Sequence, residues 1–158
     1  MYHQILLAVA LQQWDEFTLH ALTAREVAVA LAKGSGAALS ALSVYDYGKI
    51  QEPSVSADMA ARYREDMMLR IDGAMETKMK AFLAAVQQMD IEITPMVRAG
   101  EPRQTIIEVA ERLPADLLVI GAHNKRSVLD VVLGGTAGYV SRHASCPVLM
   151  VTPRRKPE

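Results

Sequence analysis

The sequence has one cysteine, two phenylalanines, one tryptophan and almost no net charge. With Cys146 alone, no disulfide forms within the chain, and nothing in the sequence points to an oxidising compartment. A formal net charge of −1 provides no global field to draw the chain to nucleic acid or to an anionic membrane. The only basic cluster is Arg154-Arg155-Lys156, which reads as a solvated tail. Long apolar runs are missing too. The first, residues 5–11, meets Asp15 and Glu16 too soon for a signal peptide, and none approaches the roughly 20 residues of a membrane span. These absences point to a cytoplasmic chain with neither a membrane nor a nucleic-acid partner.

Several chemistries lack their motifs. Gly34-Ser35-Gly36 is the nearest approach to a dinucleotide fingerprint, but it follows a helix and enters a strand. A P-loop and a Gly-x-Ser-x-Gly elbow are both missing. His3, His20, His123 and His143 are scattered without metal-ligand spacing, so no metal site is expected. With no nucleophile beside a base, the chain is expected not to be an enzyme, although slow hydrolysis of bound ATP stays compatible with the sequence.

What is present is a chain of 158 residues, 51% hydrophobic and 22% charged, enough for one domain with its own core. Short apolar runs at 5–10, 38–45, 116–120 and 147–151 read as strands, and 91–97 alternates like one. Helical spacing fills the gaps. It covers residues 15–33, with Leu19, Leu22, Val27 and Leu31 as apolar positions, and a long helix over 58–89. That long helix carries the stripe Met68, Ile71, Met75, Met79, Phe82, Val86, Met89, read as core filler, with Gly73 as a weak point. Pro102 opens a further helix that Pro114 ends, and a last one spans 134–144. This alternation predicts an α/β fold, a single doubly wound domain with a five-stranded parallel sheet flanked by helices. The domain is expected over 1–152, with 153–158 a disordered basic tail.

In such sheets ligands bind beyond the carboxyl ends of the strands, where strand order reverses. The most informative loop follows Ile120 and spans residues 121–133. Gly121 lets backbone approach a ligand closely, while Gly134, Gly135 and Thr136 open a helix whose free N–H groups suit an anion. Lys125 and Arg126 lie within that loop. The residues fit a phosphate site and, equally, a glycine turn capped by Thr136.

With its Gly121, His123, Gly134 and Thr136, its Arg142-His143-Ala144-Ser145-Cys146-Pro147-Val148-Leu149 run and its Gly100-Glu101-Pro102 turn, the sequence resembles the universal stress proteins. The resemblance covers nearly the whole chain and is weakest over 46–90. It implies a homodimer, here through the edge strand Pro147-Val148-Leu149-Met150-Val151, and a site for ATP or AMP, with Mg2+ if ATP. The implied nucleotide contacts are Ala10, Val44, Gly121, His123, Asn124, Gly134, Gly135 and Thr136. Three of these depart from the family pattern. Ala10 stands where an aspartate is expected, Asn124 replaces a glycine, and Gly135 replaces serine or threonine. Gln12 or Gln13 would stand in for part of the missing carboxylate. The alternative is a dimeric stress-response interaction protein that no longer binds nucleotide.

Overall fold

The structure, a computed structural model, describes residues 1–11, 16–122 and 135–153. Five strands, β1 (Gln4–Ala8), β2 (Ala38–Tyr45), β3 (Ile93–Ala99), β4 (Leu117–Gly121) and β5 (Val148–Val151), form one sheet in the order β3-β2-β1-β4-β5. Every pairing is parallel. The helices are α1 (Leu19–Ser35), α2 (Ala57–Ala84), α3 (Pro102–Arg112) and, among the described residues, α4 (Gly135–His143).

Residues 5–8 and 117–120 are buried because β1 and β4 are covered on both faces, which is why they read as continuous apolar runs. One face of the sheet, with Ile5, Leu7, Ala41 and Val119, packs on α1 and α2. The other, with Leu6, Leu42, Leu118 and Ile120, packs on α3 and α4. At the two edges the sheet differs. Pro95 interrupts the donor ladder of β3, as proline does on an edge strand, whereas β5 leaves Leu149 and Met150 each 38% exposed.

Three expectations shift. The buried stripe of α1 consists of Ala21, Ala24, Arg25, Ala28, Val29 and Ala32, while Leu22, Val27 and Leu31 are half-buried and Leu19 is 64% exposed. Alanines let the helix axis approach the sheet, so the small residues face inward and the leucines sit at the flank. Helix α1 begins at Leu19 rather than 15, behind the cap Thr18, whose hydroxyl accepts from the Ala21 N–H. Helix α2 runs through Gly73 without interruption and stops at Ala84. A short 3-10 turn then carries the chain to Asp90, whose left-handed φ of 53° ends the helical path before β3. Of the methionine stripe, Met75 and Met79 are buried as core, while Met89 is 44% exposed.

Candidate functional site

Strand order runs outward from β1 through β2 to β3, then returns to the other side of β1 for β4 and β5. The reversal therefore lies between β1 and β4. In open α/β sheets the loops leaving two such strands part in opposite directions, and ligands bind in the crevice beyond the strands' carboxyl ends. Five expected site residues are described there or beside it: Ala10, Val44, Gly121, Gly135 and Thr136. His123, Asn124 and Gly134, with Gln12, Gln13, Lys125 and Arg126, lie outside the described residues, as does the basic tail from Arg154.

Ala10 is exposed just beyond β1, where the Val9 N–H still donates to the Leu42 carbonyl over 2.9 Å. Val44, on the neighbouring strand, is buried against the α3 and α4 face. Thr136 is half-exposed in the first turn of α4. Gly135 opens that helix at φ 82°, and a Cβ built on it would meet no atom within 4 Å. Glycine there serves backbone conformation rather than space.

Gly121 has a different reason. A Cβ at this position would lie 2.8 Å from the carbonyl oxygen of His20 in α1. The room left by the missing side chain is filled by the first turn of α1, so this glycine closes the α1–β4 contact at the crevice. The His20 ring in turn stands 3.2 Å from the Thr18 hydroxyl.

The surroundings contribute polar groups that spacing alone did not reveal. Lys78, from the buried side of α2, donates to the Leu11 carbonyl over 3.2 Å and ties α2 to the chain leaving β1. The Tyr45 hydroxyl donates to the Asp72 carboxylate over 2.7 Å and anchors the end of β2 to α2. Burial, followed by the Asp72 hydrogen bond and charge, pushes the Tyr45 phenol well above its ordinary value, so it stays a neutral donor. A lysine one turn before Phe82 on an otherwise apolar face was the available signal for Lys78. Tyr45 gave none, since an aromatic residue ending a strand is ordinary.

At the amino end of the sheet, Asp116 accepts the N–H groups of His3 over 2.7 Å and of Gln4 over 3.1 Å. Partial burial works against its charge, but these hydrogen bonds prevail and hold the carboxyl below its usual range. Burial pushes the Cys146 thiol up, which fits a half-buried structural cysteine rather than a reactive one. Among the described residues no group of three or more His, Cys, Asp or Glu is placed to hold a metal ion. Among them too, no helix is long and apolar enough to cross a membrane.

The sequence model described as the universal stress protein family matches residues 1–152. Universal stress protein G of Salmonella typhimurium is 37% identical over 76 residues, 48% of this chain and 53% of that protein. The chain thus spans about half the length of the curated relatives it matches. The solved universal stress protein UspA from Lactobacillus plantarum superposes with a TM-score of 0.65 at 26% identity, covering 95% of this chain and 97% of that one. A family member from Arabidopsis thaliana, solved with AMP bound, has a TM-score of 0.62 at 17% identity and covers 96% of this chain and 92% of its own.

Proposed function

The chain belongs to the universal stress protein family, and from that premise we propose that it is a non-catalytic regulatory module that binds an adenine nucleotide at the crevice between β1 and β4. The observation that carries this reading is the strand reversal, which sets Ala10, Val44 and Gly121 at one end of the sheet with the first turn of α4 beside them. In this reading Gly135, Thr136 and the N–H groups opening α4 hold phosphate, together with Gly134, His123 and Asn124. Ala10 and Val44 pack against the nucleoside. The AMP held by the Arabidopsis protein supports the ligand class. The ligand is ATP or AMP, with Mg2+ accompanying ATP, and the module works in the cytoplasm.

In this reading nucleotide loading changes what the protein presents to partners. A homodimer through β5 belongs to the same reading, because Leu149 and Met150 are exposed on an unpaired edge. A strictly monomeric species by light scattering at micromolar concentration contradicts the dimer. For the ligand, mass spectrometry of the protein as purified is expected to find an adenine nucleotide.

A second reading, a dimeric interaction protein without nucleotide, is favoured by the exposed methyl group of Ala10, which offers a nucleoside no hydrogen bond. Nucleotide recovered in stoichiometric amount rules it out.

A further inference from the structure

Helix α2 is anchored at one end only. Its buried residues are Met75, Met79, Phe82 and Leu83, and none of residues 57–74 is buried. At about 1.5 Å per residue, that leaves roughly 27 Å of helix held to the body by half-buried contacts alone. Helices draw most of their stability from packing, and this half receives little of it.

A second stripe of α2 faces outward. Met59, Arg62, Asp66, Leu69 and Gly73 follow steps of three and four, the spacing of a helix–helix seam, and all five are exposed. Met59 is 60% exposed and Leu69 72%. Among the described residues Arg62 forms no ion pair, while Asp66 meets Arg70 across one exposed turn over 3.0 Å.

This stripe is complementary to itself when reversed. A two-fold axis opposite position 64 has Met59 and Leu69 about 7.5 Å to either side, and Arg62 and Asp66 about 3 Å to either side. In an antiparallel pair Met59 therefore meets the partner's Leu69, and Arg62 meets the partner's Asp66. Each contact occurs twice. The same reversal sets Val55, just ahead of the helix and 43% exposed, opposite the partner's Gly73. A Cβ built on Gly73 would meet no atom within 4 Å, so the second chain can come close there.

We propose that this outward face of α2 docks a second copy of the chain, antiparallel, with the Arg62–Asp66 contacts fixing the register. The inference goes beyond the nucleotide reading and does not depend on it. Helix α2 packs against β3, and β3 and β5 are opposite edges of the sheet, so pairing through α2 leaves the β5 edge accessible.

The test is sedimentation equilibrium of the whole chain from about 10 μM to about 1 mM, the range in which a small interface associates. The wild type is expected to gain mass with concentration. Arg62→Asp and Asp66→Arg each set like charges face to face, and each is expected to weaken the association by about tenfold or more. Mixed in equal amounts, the two variants restore both opposite-charge contacts and associate as the wild type does. Both positions are exposed, and an unchanged Tm shows that the variants fold. Equal masses for the wild type and both single variants, or a loss that mixing does not regain, overturns the inference. A dimer indifferent to both substitutions is held elsewhere and overturns it as well.

Discussion

Gly121 at the end of β4 and His20 in the first turn of α1 are packed so closely that a Cβ on the glycine would lie 2.8 Å from the histidine carbonyl oxygen. The neighbour is backbone, so relief requires α1 itself to move. A residue expected to make room for a ligand thus also determines how near the first turn of α1 comes to the crevice.

Gly121→Ala is therefore expected to lower stability by about 1–3 kcal/mol, the usual range for overpacking, read as a drop in Tm. Gly135→Ala serves as the contrast. Space is open there, so its cost comes from the left-handed φ alone and stays near 1–2 kcal/mol. Equal stability of wild type and Gly121→Ala contradicts the close contact.

Arg25 is a buried cation on the inner face of α1, 9% exposed. Its Nη1 donates to the Phe82 carbonyl over 2.6 Å, and its guanidinium carbon stands 5.1 Å from the centre of the Phe82 ring. That carbonyl is among the last four of α2, which have no partner within the helix. Removing the side chain strips this cap and opens a cavity, so Arg25→Ala is expected to cost about 2–4 kcal/mol in urea unfolding. Arg25→Met costs less, because it keeps the packing volume and removes the buried Nε, which has no hydrogen-bond partner among the described residues. A milder effect for alanine than for methionine contradicts this account.

Asp116 joins the starts of β1 and β4 through the N–H groups of His3 and Gln4. Its carboxyl titrates below its unfolded value, so the stability it adds is present above about pH 4 and is lost as pH falls through the lower folded value. Asp116→Asn is expected to be less stable than wild type at neutral pH, with the difference closing on acidification. The effect is small, since the carboxylate is 36% exposed. A gap that widens toward acid contradicts the assignment.

Legibility in the sequence followed the range of the interactions. The run 117–120 was readable as a strand because burial on both faces leaves it apolar throughout, whereas Ser40 and Ser43 dilute the equally buried run 38–45. Helix α1 was legible as a helix, but its inner face was not, since alanine carries little hydrophobic signal and the leucines lie to the flank. Asp90 ended the helical path before β3 through a left-handed φ that spacing does not encode. In the site, the glycine positions were visible, but the reason for Gly121 depends on a helix about 100 residues earlier in the chain. The neighbouring of Val44 and Arg98 depends on strand register between elements far apart in sequence, which no local pattern carries.

The measurement that bears most directly on nucleotide binding is calorimetric titration of the nucleotide-free chain with ATP and Mg2+, paired with a melting curve. A site at the β1–β4 crevice predicts saturable binding at one nucleotide per chain and a Tm that rises with ligand, by about 2.7 kcal/mol of added stability at 100 times Kd. No heat and no shift in Tm at millimolar nucleotide contradicts it.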